Sequence, residues 1–256
     1  MNKVNYALVM ICFISYTSVL SQNKGLAIAK QADAADRGFH SSSVDILMIL
    51  TNKNGQKSTR KLHNKTLELQ DDGDKSLIVF LSPKDVKGTA TLTFTHKQKA
   101  DDQWLYLPAI KRIKRISSSN KSGPFMGSEF AYEDLSSQEV EKYTYKFKSE
   151  KEGFLVVEQY PKDTKSGYTK RKVTYNKNKG YRIEKIEFFD RKNALLKTLT
   201  YTNYKQYLHK YWRASDLEMV NHQNDKKTTL HFSNYTFQLN VSDSDFSQNA
   251  LKRFGQ

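Results

Sequence analysis

Hydrophobic and polar side chains alternate along much of the chain after its first forty residues. Apolar residues occupy every second position of 44–50, and Ala90, Leu92 and Phe94 alternate with threonines. A period of two is typical of a β-strand that buries one face. The segment 77–81 is apolar throughout, as expected for a strand that is covered on both faces. The pattern therefore predicts a mainly β protein.

Turn signals separate the predicted strands. Asn54 and Gly55 predict a tight hairpin, and the acidic run 71–74 marks the next turn. The alternation continues through the second half of the chain, in the segments 140–148, 153–160, 168–175, 181–189, 195–207, 213–221 and 228–239. About eleven strands with short connections predict a closed or nearly closed antiparallel sheet, because long sheets curl rather than stay flat.

Two helices are predicted outside the sheet. Ile28, Ala32 and Ala35 recur at helical spacing within 25–39, which predicts a short amphipathic helix there. A second short helix is predicted for 247–254.

The N-terminus has the layout of a secretory signal peptide. Lys3 precedes a mostly apolar run, Tyr6–Leu20, and the small residue Ser21 follows it. We expect residues 1–21 to be cleaved and residues 22–256 to form one domain; a buried N-terminal helix is the alternative. The only cysteine, Cys12, is then lost with the signal, which excludes disulfides and thiolate sites from the mature chain.

The formal net charge of the chain is +15. Such an excess favours anionic partners such as phospholipid head groups, lipopolysaccharide or an acidic protein surface. Because lysines are spread through nearly every segment, the charge can equally serve to solvate the outer surface. The sequence leaves both interpretations open.

The sequence contains no recognisable catalytic or metal-binding motif. Its six histidines lack HExxH spacing, no Gly-x-Ser-x-Gly elbow occurs, and the glycine-rich loop 123–127 lacks the Walker A pattern. We therefore predict a binding protein without cofactor or metal rather than an enzyme. A hydrolase assembled from residues distant in sequence is the alternative.

The most informative block of the chain runs from Phe80 to Leu135. It contains the motifs Leu81-Ser82-Pro83, Lys87-Gly88-Thr89, Trp104-Leu105-Tyr106-Leu107-Pro108 and Gly127-Ser128-Glu129-Phe130. In these motifs the chain resembles the LolA-like family of outer-membrane lipoprotein-sorting proteins. The resemblance implies a periplasmic, incomplete (half-open) antiparallel β-barrel whose concave face holds acyl chains beneath short helices. Helix 25–39 then becomes a lid or plug, whereas the sequence alone fits an ordinary packing helix equally well.

Apolar side chains of this block are the first candidates for lining the cavity. They are Phe80, Leu92, Phe94, Trp104 and Tyr106, followed by Ile46, Met48, Val156, Ile183, Phe188 and Phe237. Such side chains on consecutive strands can line an apolar pocket, whereas most aromatics in a β protein pack across strands as ordinary core. The choice of face is the critical assumption, because a shift of one residue exchanges the two faces of a strand.

A basic cluster and an acidic loop follow the aromatic motif. The basic residues are Lys111, Arg112, Lys114, Arg115 and Lys121. Arg112, Lys114, Arg115 and Lys121 are predicted to contact lipid phosphate or an anionic partner at the cavity rim. The alternative is an edge strand whose charges oppose aggregation. The acidic residues Glu129, Glu133 and Asp134 are expected to pair with the basic strand.

Two functions follow from the resemblance. The first is a periplasmic carrier that binds acyl chains of a lipid or lipoprotein and moves them between the inner and outer membrane. The second is a non-enzymatic docking module of an RND-type transporter in the inner membrane. We expect a monomer with only peripheral membrane contact. Nucleic acid is not an expected partner, because the export signal separates the protein from it.

Overall fold

The computed structural model describes the backbone of residues 5–253 and the side chains of residues 20–253. Residues 1–4 of the predicted signal peptide lie outside the described residues, and the structure does not test its cleavage. Helix α1 spans Asn5–Asp36 and helix α2 spans Gln248–Lys252. Among the described residues, no helix combines the length and apolarity of a membrane crossing.

The strands account for most of the described chain. They are β1 (Ser41–Thr51), β2 (Lys57–Leu67), β3 (Lys75–Ser82), β4 (Ala90–Phe94), β5 (Asp102–Leu107), β6 (Arg112–Ile116), β7 (Tyr143–Lys151), β8 (Phe154–Pro161), β9 (Tyr168–Asn176), β10 (Arg182–Asp190), β11 (Leu195–Tyr207), β12 (Tyr211–Asn221) and β13 (Lys226–Phe237). All belong to one antiparallel sheet in the order β6-β5-β4-β3-β2-β1-β13-β12-β11-β10-β9-β8-β7.

Neighbouring strands in this sheet are also neighbours in sequence, with one exception. Strand β1 pairs with β13 in the middle of the sheet, and β6 and β7 are its two free edges. The predicted mainly β, incompletely closed antiparallel fold is confirmed. The sheet has thirteen strands rather than about eleven. Each segment predicted as a strand forms a separate strand, so the predicted total was too low.

The two predicted helices are present with different bounds. Helix α1 is longer than the predicted segment 25–39 and runs through the predicted cleavage site after residue 21. It ends two residues before Gly38, whose φ of +94° lies in the left-handed region that favours glycine. Helix α2 lies within the predicted 247–254, and Ser247 caps it by accepting a hydrogen bond from the backbone N–H of Ala250.

The inner face of the sheet carries the main core. We define the inner face as the one that packs against α1 and against residues 117–142, the plug segment that connects the two free edges. Cross-strand partners such as Val157 and Val173, Ile186 and Leu199 continue one buried layer from strand to strand. Burial of such side chains is the dominant stabilising contribution in a fold of this type.

The plug segment fills one part of the inner face. The ring of Phe125, which is fully buried, lies 5.6 Å from that of Phe80 on β3. The backbone N–H of Glu129 donates to the hydroxyl of Thr228 on β13 at 3.0 Å. The connection between the free edges therefore crosses the sheet interior instead of pairing the edges.

The outer face of β3–β6 carries a second core beneath helix α2. It consists of Leu77, Val79, Ala90, Leu92, Tyr106, Phe246 and Leu251. Phe246 and Leu251 come from the C-terminal segment, and both are almost fully buried. This part of the sheet is therefore covered on both faces, as its continuous apolar segment 77–81 predicts.

Candidate functional site

A cavity of about 850 Å³ lies between helix α1 and the inner face of strands β7–β13. Its roof includes Ala29 and Ala32 of α1. Aliphatic and aromatic side chains of the strands form much of the wall, including Val173, Ile183, Ile186, Leu217 and Phe232. Six tyrosines contribute as well: Tyr145, Tyr175, Tyr181, Tyr201, Tyr204 and Tyr235. Charged side chains also line the cavity, among them Asp33, Glu68, Asp74, Arg171 and Arg182. The volume falls within the roughly 300–1,000 Å³ of typical ligand pockets.

Helix α1 lies directly against strand β7 at Gly25. A Cβ atom at this position would lie 3.0 Å from the backbone nitrogen of Phe147 and 3.1 Å from Cβ of Tyr145, which is tighter than ordinary contact. Ser21 donates a hydrogen bond from its hydroxyl to the carbonyl oxygen of Phe147 at 2.8 Å. Glycine at this position therefore allows the helix to lie directly against the strand and to roof the cavity.

Ion pairs hold the C-terminal end of α1 at the cavity mouth. Nε of Arg37 lies 2.7 Å from Asp33, and Nη2 of Arg37 lies 2.9 Å from Glu139 at the end of the plug segment. Asp36 pairs with Arg213 of β12. Burial raises the pKa of Glu139, and the positive charge of Arg37 opposes that effect. Polar contacts therefore fix this end of the roof.

Tyrosine hydroxyls give the apolar wall a neutral polar component. Tyr204 donates to the carbonyl oxygen of Ile183 at 2.6 Å, and the hydroxyl of Tyr175 accepts from Nε2 of Gln159 at 2.8 Å. Burial raises the pKa of Tyr175 to about 12, and burial also raises that of Tyr145. These hydroxyls are therefore uncharged near neutral pH and can donate hydrogen bonds.

Arg171 is the most deeply buried of the four arginines that line the cavity, the others being Arg37, Arg182 and Arg213. Arg171 of β9 is 5% exposed and donates hydrogen bonds to the side-chain oxygens of Gln138 and Gln159. Its guanidinium carbon lies 4.2 Å from the centroid of the Tyr143 ring. The arginine ion pairs in the described part of the chain do not include Arg171. The wall therefore contains a buried positive charge that has only neutral partners.

The structure brings some of the predicted cavity residues to the inner face. Ile46, Met48, Phe80 and Phe188 lie in the inner-face core, outside the cavity wall. Among all the predicted residues, only Ile183 belongs to the wall. The inner-face part of the prediction thus identifies core positions beside the cavity more than the cavity itself.

Four predicted residues of the central block lie on the outer face instead. Leu92 and Tyr106 belong to the core beneath α2, and Phe94 and Trp104 pack against it with their ring centroids 5.1 Å apart. On β4 the inner positions are occupied by threonines, of which Thr91 is 1% exposed. The predicted alternation is therefore right in period and opposite in phase, so these four residues do not line this cavity.

Two further predicted residues lie beside or away from the cavity. Val156 is on the outer side of β8, since its neighbours Leu155 and Val157 belong to the inner core. Phe237 stacks on Tyr235, with ring centroids 5.8 Å apart, but does not itself line the wall.

The predicted head-group contacts lie on edge strand β6 and in the plug segment that follows it. Arg112, Lys114 and Arg115 belong to β6, and Lys121 belongs to the plug segment. Arg115 pairs with Asp102 on the adjacent strand, and Nζ of Lys121 lies 2.6 Å from Oδ2 of Asp163. Arg112 and Lys114 are exposed and form no ion pair with any described residue. None of the four lines the cavity wall.

The acidic residues of the plug segment do not pair with β6. Asp134 binds Nζ of Lys197 on β11 at 2.7 Å. Glu133 accepts a hydrogen bond from the backbone N–H of Gly167 at 2.8 Å, and Glu129 accepts one from an asparagine of β12. The predicted pairing with the basic strand is wrong, because the plug segment crosses to the other half of the sheet.

A second cavity of about 850 Å³ lies at the opposite end of the same strands. Plug-segment residues and the turns that connect β10 to β11 and β12 to β13 form its wall. Its polar side chains bind one another: Asn221 donates to Glu129 at 2.6 Å, and Gln223 donates to Asp190 at 2.9 Å. The cavity beneath α1 is therefore the better candidate site.

Sequence analysis missed Arg171 and the tyrosines of the wall. The available signal is positional: Arg171 lies two residues before the inner-face Val173, and Tyr201 lies two residues after Leu199. Residues two positions apart on a strand share a face. Extending the buried aliphatic positions by steps of two would have found both residues.

The described residues include no group of three or more His, Cys, Asp or Glu side chains placed to hold a metal ion. The tyrosines, Arg171 and the apolar side chains of the wall are arranged for noncovalent binding of a partly apolar ligand.

Comparison with known proteins finds one matching family and several similar solved structures. The profile of a family described as an uncharacterized protein matches residues 72–253. A Vibrio parahaemolyticus domain, named for outer membrane lipoprotein sorting, is 54% identical, covers 91% of this chain and 100% of its own, and superposes with a TM-score of 0.87. No curated protein matches the chain.

Two more solved structures are similar at lower identity. A DUF1329 family protein from Desulfovibrio piger is 26% identical over 90% of this chain and 99% of its own, with a TM-score of 0.84. A LolA superfamily protein from Nitrosomonas europaea is 19% identical over 88% of this chain and 97% of its own, with a TM-score of 0.70. The last likeness concerns the fold alone.

Proposed function

Because this chain belongs to the LolA-like family of outer-membrane lipoprotein-sorting proteins, we propose that it is a periplasmic carrier for acyl chains. In this proposal the cavity beneath α1 binds the acyl part of a lipid or lipoprotein, which the protein moves between the inner and outer membrane. The observation that carries the proposal is a cavity of about 850 Å³ with a helical roof, in whose wall aliphatic side chains and tyrosines lie beside charged side chains.

The size of the hydrophobic contribution explains why such a site needs a roof that can open. Burying about 15 methylene groups at about 0.8 kcal/mol each stabilises the complex by on the order of 12 kcal/mol before the costs of association. A carrier that kept all of this would scarcely release its cargo. The polar attachment of the end of α1 through Arg37 and Asp36 can exchange with water, so opening the roof there costs less than breaking apolar packing.

The test is whether lipid accompanies the purified protein and leaves when the cavity is filled. The chain is purified without detergent and studied by native mass spectrometry and solvent extraction. Ala32 lines the cavity from α1, so Ala32→Phe should reduce the bound lipid at least severalfold. Ala34 is exposed on the same helix and does not line the cavity, so Ala34→Phe should retain lipid as the wild type does.

A wild-type protein that carries no lipid and binds no added fatty acid or phospholipid would refute the carrier function. Equal lipid retention by Ala32→Phe and the wild type would place the ligand elsewhere on the molecule. Circular dichroism of both phenylalanine variants separates loss of binding from loss of folding.

A docking module of an RND-type inner-membrane transporter is the second candidate. The observation that favours it is edge strand β6, where Arg112 and Lys114 are exposed without ion-pair partners among the described residues. An open edge can accept a strand from a partner, and its charges can select an acidic one. In that case replacing Arg112, Lys114 and Arg115 by serine should weaken transporter capture while the lipid content stays unchanged.

The proposed location follows from the family and from the N-terminal pattern. Cleavage after residue 21 would leave residues 22–256 as one domain, with the part of α1 that roofs the cavity intact. The mature protein is proposed to be a monomer that contacts membranes only peripherally and uses no cofactor. The intact mass of protein from a periplasmic extract checks the cleavage site.

A further inference from the structure

Arg171 is the most deeply buried arginine of the cavity, and it has no carboxylate partner among the described residues. Arg182 also lines the cavity without such a partner, but it is only half-buried. Arg37 and Arg213 bind carboxylates at the cavity mouth, and Lys197 binds Asp134 at 2.7 Å. Arg171 is 5% exposed and is held by Gln138, Gln159 and the ring of Tyr143, none of which carries a charge at neutral pH. A buried ion without a counter-charge is unfavourable even after the protein relaxes around it.

The guanidinium of Arg171 has donors to spare. It carries five N–H groups, of which one on Nη1 donates to Gln138 and one on Nη2 donates to Gln159. Nε is buried and has no hydrogen-bond partner among the described residues. Five donors less the two in use leave three, and the side chain belongs to the cavity wall. The amide of Gln159 is itself fixed by Tyr175, so the arrangement is rigid.

The neighbourhood of Arg171 adds a neutral donor and an apolar path. Tyr201 also lines the cavity, and its hydroxyl makes no hydrogen bond with a described residue. Burial raises the pKa of Tyr201, so its hydroxyl is uncharged near neutral pH. Val173 and Ile186 continue the wall on the same face of β9 and β10. A charged oxyanion with an attached acyl chain fits both features.

We propose that Arg171 binds the anionic head group of an amphiphile, with the acyl chain along the apolar wall of the cavity. The ligand class is thus a fatty-acid-like carboxylate or a lipid phosphate rather than a neutral lipid, because both oxyanions pair with a guanidinium through two parallel N–H bonds. The inference rests on the proposed carrier function and specifies its cargo. It also places the head group inside the cavity, distant from the basic edge strand β6.

The experiment compares amphiphiles that differ only in the head group. Binding of dodecanoate, dodecyl phosphate and neutral dodecanol is measured by isothermal titration calorimetry at pH 7.5, with acetate and inorganic phosphate as anions without a chain. Charge-assisted hydrogen bonds from a guanidinium to an anionic head group correspond to an affinity roughly ten- to hundredfold higher than that of a neutral head group. We expect one or both anionic amphiphiles to bind that much more tightly than dodecanol. The tighter of the two distinguishes carboxylate from phosphate.

Variants assign that preference to Arg171. Arg171→Gln should abolish the preference for the anions while the affinity for dodecanol stays the same, and Arg171→Lys should restore part of it. Arg60 is a matched control, because it is a half-buried arginine of the sheet that donates to the carbonyl of Met126 and lies outside the cavity wall. Arg60→Gln should therefore bind as the wild type does.

Several outcomes overturn the inference. If dodecanol binds the wild type as tightly as the anionic amphiphiles do, the preference for an anionic head group is refuted, and the carrier function still stands. Arg171→Gln binding all three amphiphiles like the wild type, or losing all three equally, would reduce Arg171 to a structural residue. Chain-free phosphate or acetate binding as tightly as the amphiphiles would point to a simple anion site. Failure of all three amphiphiles to bind the wild type would instead refute the proposed function.

Discussion

Lys197 lies on the inner face with 4% of its surface exposed and joins two parts of the molecule. Its ammonium group binds Asp134 of the plug segment at 2.7 Å and donates to the carbonyl oxygen of Glu129 at 2.8 Å. Tyr168 donates to the same carboxylate at 2.9 Å. The side chain of Lys197 thus fixes the plug segment to the sheet. Removing any one of these polar groups would leave its hydrogen-bond partner unsatisfied.

Removing Lys197 should expose the cost of a lone buried carboxylate. Lys197→Met leaves Asp134 without its ammonium partner, and we expect the free energy of unfolding to fall by about 3–5 kcal/mol. The double variant Lys197→Met with Asp134→Asn should lose less than the sum of the single losses. Urea unfolding measures all three. The exposed pair Lys227–Glu218, 3.0 Å apart, is the control and should contribute about 0–1 kcal/mol. Additive losses at Lys197 and Asp134 would contradict the coupling.

Asp74 should make stability depend on pH in the weakly acidic range. Burial, with the nearby charges of Glu139 and Glu68, raises the pKa of Asp74 to about 6 from an ordinary value of 3.8. The folded state therefore binds the proton more tightly than the unfolded state. The contribution of Asp74 to stability falls as pH rises from about 4 to about 6 and then levels off.

Asp74→Asn removes this buried charge, so it should raise the melting temperature above pH 6, by about 2–4 °C for each kcal/mol relieved. The gain should shrink toward zero as the pH falls to about 4. Asp71 in the same turn is exposed, so Asp71→Asn changes the net charge equally and should have little effect. A gain that is independent of pH, or equal in both variants, would assign the effect to something other than burial of the Asp74 charge.

Helix α2 is short, yet it completes a core. Its five residues cover the outer face of β4 and β5, where Leu251 is fully buried beside Phe246. The aromatic motif of the central block packs on this outer face. The role of that motif in the present fold is therefore to seat the C-terminal segment.

Truncating Leu251 should test this structural role. Leu251→Ala should reduce the free energy of unfolding by about 2–5 kcal/mol, because it leaves a cavity in a closed core. The adjacent Lys252 is exposed, and Lys252→Ala should change stability by less than about 0.5 kcal/mol. Chemical denaturation measures both. If the two variants are equally stable, α2 does not belong to the cooperative core.

At the scale of the whole molecule, periodicity predicted the strands but not which face is inside. Leu77 and Val79 lie in the outer core and Ile78 and Phe80 in the inner one, so apolarity alone does not identify a side of β3. On β4 the buried inner layer consists of threonines such as Thr91. The phase depends on α2 and on the plug segment, whose contacts join residues far apart in sequence.

The cavity was predictable as a kind of site and not as a set of residues. Its wall includes six tyrosines and Arg171, residue types that sequence patterns assign to surfaces as readily as to interiors. Their burial results from the long strands β9–β13 and from the roof that α1 provides. Only the steps of two from known core positions lead to them.

The pairing of β1 with β13 also has a consequence for how the chain folds. All other strand pairs join neighbours in sequence, whereas Ser42 and Phe237 are partners although they are far apart in the sequence. Each half of the sheet is a series of hairpins that can form locally, but the β1–β13 pair must close a loop that contains about three quarters of the chain. We expect formation of the β1–β13 pair to limit the folding rate. Strand β13 is synthesised last and would pair with a strand β1 that is already part of its own hairpins.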